Sequence, residues 1–266
     1  MWYFKVLIFI GCLLFGYFFG SLPMGVIVSK LIFHKDPRNE GSHNTGATNV
    51  LRTAGRRASA LVLLLDVLKM IVPFIAVWAI FTFVTPAVEF MSNGDLTPNS
   101  FGYGNTLCEL AYYLTALGCF IGHPYSCFLR FNGGKLVSCY LGFNIPISYY
   151  GIPFFAPFFI ITFKKTKLVS LSSLVVCGAI FLWSWVLYVL YATLGDAGIY
   201  YVTFFGLGPH VCIYFPLVNT IAYCLLIYRH KENIKRLFKG EEKQVHLIHT
   251  DLNHQDDPSK VNEKHD

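Results

Sequence analysis

Long apolar runs with almost no charged residues constrain this chain more than any other sequence feature. The runs at 60–84 and 168–194 exceed the roughly 18 apolar residues that can cross the hydrocarbon core of a bilayer. Charged residues make up 14% of the chain, whereas roughly a quarter of a soluble domain is charged. The pattern therefore predicts an all-α, polytopic integral membrane protein.

The first apolar run, at 10–20, has only Lys5 before it and continues towards Val28 without a small-residue cleavage site. We expect it to be a retained membrane span and not a signal peptide. The eight cysteines lie almost all within apolar stretches, and no pair has CxxC spacing. Neither a disulfide framework nor a zinc site is predicted from them.

Lysine and arginine residues cluster in four polar segments, at 30–57, 130–135, 164–167 and 229–243. The polar loop at 86–106 contains neither residue type. Because lysine and arginine concentrate in the cytoplasmic loops of membrane proteins, we predict that the four basic segments are cytoplasmic. The loop at 86–106 is then predicted to be external.

This sidedness determines the number of membrane crossings. The stretch 136–163 must begin and end in the cytoplasm, yet as one helix it would be about 42 Å long, more than a core of ~30 Å requires. Two short helices, hinged near 144–146 or 151–153, satisfy both conditions. The prediction is about seven transmembrane helices with an external N-terminus and a cytoplasmic C-terminus. Five spans with a re-entrant pair would give the same sequence pattern.

The chain is predicted to contain one membrane domain, residues 1–240, followed by a short tail. The tail, residues 241–266, is polar and mixed in charge, and we predict it to be disordered. It contains four histidines. A metal site there is the alternative interpretation, and a solvated tail is the preferred one.

The first basic segment contains the most informative run of the chain. It reads Gly41-Ser42-His43-Asn44-Thr45-Gly46-Ala47-Thr48-Asn49-Val50-Leu51-Arg52. Small residues allow the backbone to approach a ligand closely and to direct successive N–H groups at it. The arginine adds a planar cation suited to phosphate. The run is typical of an anion pocket at the start of a membrane helix; the alternative is a plain turn with helix-capping residues.

Two further polar clusters lie in segments predicted to share that side of the membrane. The turn Gly133-Gly134-Lys135 can place an ammonium group over a phosphate, although its spacing is not that of a P-loop. In the last basic segment, His230 and Asn233 share one face if the segment is helical. Together the three clusters suit one water-soluble anionic substrate and one substrate with a lipid tail.

Asp66 and Lys69 lie three residues apart inside a predicted span. Ionisable groups in a span are costly, and they tend to pair or to face a polar interior. A structural ion pair and a direct catalytic role both remain open for these two residues. His123, near the end of another span, is equally compatible with packing and with a place in the site.

These residues make the chain similar to the bacterial acyl-phosphate:glycerol-3-phosphate acyltransferases, the PlsY-type enzymes, over nearly all of residues 1–240. The motifs that carry the resemblance are Gly20-Ser21-Leu22-Pro23, Gly41–Arg52 with Gly55, Leu65-Asp66-Val67-Leu68-Lys69, Gly122-His123, Gly133-Gly134-Lys135 and Arg229–Gly240. The resemblance implies a seven-helix membrane fold that transfers an acyl group from acyl phosphate to the sn-1 hydroxyl of glycerol 3-phosphate. The products would be 1-acyl-glycerol 3-phosphate (lysophosphatidic acid) and phosphate, in phospholipid biosynthesis.

The resemblance also implies which residues form the site. The candidate catalytic residues are Ser42, His230 and Asn233. The candidate substrate- and phosphate-binding residues are Gly41, Asn44, Gly46, Thr48, Asn49, Arg52, Gly133, Gly134 and Lys135. We expect no cofactor, no metal and no nucleic acid. The expected partners are glycerol 3-phosphate, acyl phosphate and membrane lipid, for a monomer of the plasma or inner membrane whose active site faces the cytoplasm.

The sequence departs from the family pattern at several positions. Leu136 and Met70 stand where glycine is usual, and the loop at 86–106 is longer than expected. A transporter of an organic phosphate is the alternative function, but transporters carry polar groups near the membrane midplane and often show repeated halves. Here the polar clusters lie at one face and no repeat is visible, which favours an enzyme. A third reading is a non-catalytic membrane scaffold.

Overall fold

The structure, a computed structural model, describes residues 2–84, 106–195 and 211–244. All regular secondary structure within these ranges is helical. The helices are α1 (Trp2–Ser21), α2 (Met24–Leu31), α3 (Ala47–Ala79), α4 (Thr106–Gly122), α5 (Val137–Asn144), α6 (Gly151–Thr166), α7 (Val169–Leu194), α8 (Tyr214–Arg229) and α9 (Lys231–Lys239). A π-helical turn, Ile80–Val84, continues α3, and a 3₁₀ turn, Cys127–Leu129, follows α4.

Three helical stretches are long and apolar enough to cross a membrane: Tyr3–Leu31, Ala47–Val84 and Val169–Leu194. Many large apolar side chains lie on the outside of the bundle, as expected where the surrounding solvent is hydrocarbon. The all-α membrane class is therefore confirmed, while the seven crossings and the sidedness of the termini remain predictions. Residues 86–105 of the predicted external loop and the tail beyond residue 244 lie outside the described residues.

A break between α1 and α2 is held by an ion pair from α3. The α1 helix ends at Ser21, and the chain turns through Leu22 into α2. Lys69 Nζ donates to the Leu22 carbonyl at 2.9 Å and lies 2.9 Å from Asp66 Oδ1. Both side chains are buried, so the two ionisable residues predicted inside a span do form a pair. The pair gives the broken end of α1 a hydrogen-bond donor.

Gly55 divides α3 into two segments, 47–54 and 56–79. Its φ of 87° and ψ of −177° are essentially restricted to glycine. The second segment is about 36 Å long and can cross the bilayer by itself. Ser59 Oγ donates to the Ala47 carbonyl at 2.9 Å and so ties the two segments together. The first segment is thereby held near the end of the bundle, where the Gly41–Arg52 run lies.

The α1 and α4 helices cross with their backbones in contact. Gly16 and Gly20 of α1 face Gly118 and Gly122 of α4, and a Cβ added at any of the four would collide with backbone of the other helix. Glycines four residues apart permit this close approach of membrane helices. The crossing fixes α4, and therefore the turn that follows it, against the broken end of α1.

Gly118→Leu should destabilise the protein, because its side chain would overlap the Leu13 carbonyl of α1. Overpacking costs about 1–3 kcal/mol even where neighbours can move, so we expect at least the upper end here, seen as a lower Tm in detergent. Gly11→Leu is the matched control, since nothing lies within 4 Å of a Cβ at that position. Equal Tm values for the two variants would contradict the crossing.

The stretch 136–163 forms two helices, as predicted. The α5 helix ends at Asn144 and α6 begins at Gly151, so the break falls in the region of the predicted hinges. Asn144 Nδ2 donates to Asn219 Oδ1 of α8 at 3.0 Å, which joins the C-terminal end of α5 to α8. The α6 and α7 helices then form a hairpin that turns at Lys167.

The two departures from the family pattern at glycine positions have visible structural consequences. Leu136, immediately before α5, has a φ of 72°, a left-handed conformation that explains why glycine is usual there. Its side chain is fully buried, and burying a leucine contributes about 1.5–3 kcal/mol, which offsets the roughly 1–2 kcal/mol that this backbone costs. Met70 of α3 packs against Gly142 of α5. A Cβ added at Gly142 would lie 3.1 Å from the Met70 Cβ.

Candidate functional site

Polar side chains from four segments meet at one end of the bundle. The segments are the loop before α3, the turn before α5, the start of α7 and the α8–α9 region. Hydrogen bonds join the turn to α9 and to α8, and join α7 to the residues after α9. The loop before α3 and the turn before α5 line one cavity, to which they contribute Thr45 and Gly134. Arg52, in the following helix α3, lies close enough to Lys135 for its charge to lower the pKa of that lysine. The three polar clusters found in the sequence therefore share one end of the fold.

Asn49 organises the loop before α3. Its side chain is 2% exposed, and its Oδ1 accepts the backbone N–H of Ser42 at 2.8 Å. Its Nδ2 donates to the carbonyl oxygens of Pro37 at 2.6 Å, Glu40 at 3.1 Å and Asn44 at 2.9 Å. The amide predicted to bind phosphate is thus engaged within the loop, and Asn49 is a scaffold for it.

The other loop residues shape the start of α3. Asn44 Oδ1 accepts the Gly46 N–H at 2.8 Å, and Thr48 lies in the first turn of the helix. The first turn has no side-chain cap, so its N–H groups and the positive end of the helix dipole can meet an anion. Gly41, with a φ of 71°, contacts the Asn49 amide. The Ser42 hydroxyl is exposed.

The two glycines before Lys135 are required by close packing. A Cβ at Gly133 would collide with the His123 carbonyl, and one at Gly134 would collide with the His123 ring. Arg229 donates to the Gly133 carbonyl at 3.0 Å, with its guanidinium 5.6 Å from the centre of the Tyr125 ring. His123 is therefore packed directly against the turn, and it also lines the cavity beside it. The hydrogen bond from Arg229 holds the turn on its other contact, at the Gly133 carbonyl.

Lys135 donates from Nζ to Asn233 Oδ1 at 2.7 Å, which joins two residues predicted to share the site. Burial lowers the pKa of Lys135 to about 8. The charged side chains that also act on it are Glu242, which raises the pKa, and Arg236, Arg229 and Arg52, which lower it. An ammonium in such cationic surroundings is suited to an anionic ligand, whose charge would stabilise its protonated form.

His230, between α8 and α9, is 3% exposed. Its Nδ1 lies 2.8 Å from the Leu226 carbonyl, and a carbonyl can only accept, so Nδ1 carries the proton. Burial lowers the pKa of His230 to about 4, so the ring is neutral at pH 7. The neutral ring keeps a lone pair on Nε2, which can accept a hydrogen bond from a hydroxyl group.

The structure adds functional candidates that the sequence interpretation missed. Glu242 Oε1 accepts from Asn233 Nδ2 at 2.6 Å and from Ser170 Oγ at 2.8 Å, and its Oε2 accepts from Arg236 Nε at 2.7 Å. Glu242, two residues past the predicted end of the membrane domain, therefore lies against the site.

One sequence signal could have located Glu242. Gly240 ends α9 with a φ of 71°, and its N–H donates to Leu237 while the Glu241 N–H donates to Arg236. This is a Schellman motif, in which a glycine reverses the chain over the last turn of the helix. Among the described residues, no group of three or more histidine, cysteine, aspartate or glutamate side chains is placed to hold a metal.

An apolar helical bundle with a cationic polar end defines an integral membrane protein suited to anionic ligands. The family model described as glycerol-3-phosphate acyltransferase matches residues 10–240, and the chain belongs to this family. It is 33% identical to the Staphylococcus carnosus glycerol-3-phosphate acyltransferase, over 88% of this chain and 96% of the relative. It is 36% identical to the Bordetella pertussis enzyme of the same name, over 86% of this chain and 88% of the relative.

Two solved structures also match. One is the crystal structure of PlsY (YgiH), an integral membrane glycerol 3-phosphate acyltransferase, in its glycerol 3-phosphate form. It matches with a TM-score of 0.62 and 26% sequence identity, over 90% of this chain and 96% of that chain. The other is the lysophosphatidic acid form, with a TM-score of 0.61, 26% identity, and coverage of 90% and 95%. The resemblance to PlsY-type enzymes is thereby confirmed.

Proposed function

We propose that this protein transfers an acyl group from acyl phosphate to the sn-1 hydroxyl of glycerol 3-phosphate, giving lysophosphatidic acid and inorganic phosphate. The reaction takes place at the cytoplasmic face of a bacterial plasma or inner membrane, in a site made by Ser42, Arg52, Lys135, His230 and Asn233. It needs neither a cofactor nor a metal. The protein acts as a monomer.

The observation that carries this proposal is the Lys135–Asn233 contact among three arginines at the end of an apolar bundle. Lys135, Arg52, Arg229 and Arg236 lie here with one carboxylate, Glu242, so this end of the bundle keeps an excess of positive charge that favours phosphorylated ligands. The family supports glycerol 3-phosphate as one of them, and the matching PlsY structures are of glycerol 3-phosphate and lysophosphatidic acid forms. An acyl phosphate places its phosphate at this polar end and its chain against the apolar helices.

The chemistry requires positioning and charge stabilisation, because the acyl group is already activated. The glycerol hydroxyl attacks the acyl carbonyl carbon, the bond from that carbon to the phosphate oxygen breaks, and phosphate leaves. His230 Nε2 and the Asn233 amide orient the hydroxyl. With a pKa of about 4, His230 is a weaker base than the departing phosphate, since even a phosphate monoester has a second pKa of about 6. The proton therefore passes to the departing phosphate.

The purified protein in detergent or nanodiscs tests this proposal. We expect lysophosphatidic acid and inorganic phosphate to form in equal amounts from acyl phosphate and labelled glycerol 3-phosphate, and acyl-CoA not to replace the donor. Product formation with acyl-CoA alone would overturn the donor assignment. Uptake of labelled glycerol 3-phosphate into proteoliposomes without acylation would instead indicate the transporter.

The kcat/KM for glycerol 3-phosphate should fall as the pH rises through about 8, because Lys135, with a pKa of about 8, loses its charge there. The value of kcat/KM reports on groups of the free enzyme, so initial rates at low substrate concentration are the measurement. Lys135→Arg should remove this alkaline limb, since arginine stays protonated beyond pH 12. If kcat/KM of Lys135→Arg fell at the same pH as in the wild type, the group that loses its proton there would not be Lys135.

A further inference from the structure

The turn that follows α4 presents two phenylalanines and an arginine on the outside of the protein. Phe128 is 57% exposed and Phe131 is 61% exposed, and Arg130, which lies between them, is exposed as well. We call residues 127–132 the aromatic turn. Its composition, a cation flanked by large apolar rings, matches a molecule that carries both an anionic group and apolar chains.

Two residues of the aromatic turn have a left-handed backbone. The φ angle is 50° at Arg130 and 62° at Phe131, which is an outlier for a bulky residue and persists only where the surroundings hold it. Leu136 shares this conformation but offsets its cost by burial inside the protein. Phe131 keeps most of its ring outside the protein, so the same offset is open to it only if something beyond the chain covers the ring.

Hydrogen bonds fasten the aromatic turn to the end of α1. The Ser126 carbonyl accepts the N–H groups of Leu129 at 3.1 Å and of Phe131 at 2.9 Å. The Ser126 hydroxyl donates to the Ser21 carbonyl, the last residue of α1. Ser126 is 1% exposed, so water does not compete for these bonds. The turn therefore has a fixed shape and a fixed place on the bundle.

The length of α1 gives the depth of the aromatic turn in the membrane. The helix contains 20 residues and lies within the candidate membrane span Tyr3–Leu31. It is about 30 Å long, which matches the ~30 Å hydrocarbon core of a bilayer. Its end at Ser21 is therefore expected at the boundary between acyl chains and headgroups. The turn fastened there can place phenyl rings among acyl chains and a guanidinium among lipid phosphates.

The charge around the aromatic turn selects an anionic partner. The sequence has no aspartate or glutamate from residue 110 to residue 195. Arg229 donates to the carbonyl of Gly133, directly after the turn, at 3.0 Å, and Lys135 follows two residues later. Basic groups beside a membrane attract anionic lipids, and arginine forms paired hydrogen bonds with phosphate.

We infer that the aromatic turn is a binding site for anionic phospholipid, with Phe128 and Phe131 against the acyl chains and Arg130 on the headgroup phosphate. The ligand is a lipid of the surrounding bilayer and not a substrate, so the inference does not depend on the proposed acyl transfer. Because Gly133 follows the turn directly, the bound lipid also holds the segment before α5 at a fixed depth.

Photo-crosslinking of the full-length protein tests this inference, in nanodiscs of equal parts phosphatidylglycerol and phosphatidylcholine. The photoreactive p-benzoylphenylalanine replaces Phe131, and mass spectrometry identifies the attached lipids. The control carries the same group in place of Leu182, which is 63% exposed near the middle of α7, away from the headgroups. We expect lipid adducts at both positions, with a ratio of phosphatidylglycerol to phosphatidylcholine that is several-fold higher at 131.

Two arginine variants separate a local contact from the net charge of the protein. Arg130→Gln should lower the lipid ratio at position 131 to the ratio found at position 182. Arg57→Gln removes the same charge from another exposed arginine, whose following residues are small, and should leave the ratio at 131 unchanged. Equal ratios at the two positions in the wild type, or equal effects of the two variants, would overturn the inference.

The same group at Phe128 repeats the test if the chain does not fold with p-benzoylphenylalanine at 131, since both rings belong to the aromatic turn. Adducts that join two protein chains instead of a chain and a lipid would make the turn a contact between copies, and the inference would be wrong. Crosslinking needs no turnover. The result therefore stands whether or not the protein makes lysophosphatidic acid, and a failure of the proposed function would be seen separately.

Discussion

Replacing Lys135 with methionine should lower kcat/KM for glycerol 3-phosphate by about 100- to 1,000-fold, the usual effect of removing one preorganised donor from a site of developing charge. Methionine preserves most of the length of the side chain but cannot donate to Asn233 or pair with phosphate. The measurement is the initial rate of lysophosphatidic acid formation at several concentrations of both substrates. The loss should appear in kcat as well as KM, because charge develops on the leaving phosphate in the transition state.

Two further variants separate charge from general damage. Lys135→Arg keeps a cation but changes its shape, so we expect partial activity. Lys165→Met makes the same change at an exposed lysine on the α6–α7 hairpin and should leave the rate unaltered. Wild-type kcat/KM in Lys135→Met would remove this residue from the phosphate site and with it the main support for the proposed chemistry.

The sequence predicts the helical architecture well, because apolar length and charge placement act locally. A stretch such as 136–163 is too long for one crossing, so a break could be placed before any tertiary contact was known. The same holds for Asp66 and Lys69, since two opposite charges three residues apart in an apolar helix have few stable alternatives to pairing. The sequence does not predict the glycine crossing of α1 and α4, because which helices meet depends on the whole fold.

The site is predicted less completely, for a physical reason. Residue type indicates what a side chain can bind, but not whether a nearer partner already occupies it. Asn49 has the chemistry of a phosphate ligand, yet four backbone groups of its own loop engage its amide. Glu242 is the opposite case. Nothing in the sequence separates it from the other acidic residues of the polar tail, and it reaches the site only because the chain reverses at Gly240. Sequence motifs single out Lys135 and Asn233, but the contact between the two side chains arises only in the folded chain.

Asn49→Ala should abolish most of the activity by releasing the loop before α3, because the Asn49 amide holds that loop together. The change removes the amide's contacts with four backbone groups, and each full hydrogen bond among them is worth about 1 kcal/mol. The loop also shapes the start of α3, whose uncapped N–H groups face the substrate in the proposed site. We expect kcat/KM to fall by about a hundredfold or more, as for other displacements of catalytic groups.

Limited trypsin digestion distinguishes a released loop from a lost substrate contact. Arg38 and Lys35 lie in the loop that Asn49 secures, so Asn49→Ala should be cut there much faster than the wild type. Asn39→Ala is the matched control, because Asn39 is exposed in the same loop, and it should resist trypsin like the wild type. If Asn49→Ala loses activity while its loop stays resistant, the amide must contact substrate directly, as the sequence alone suggested. Equal activity and equal resistance would instead mean that the loop holds its shape without Asn49.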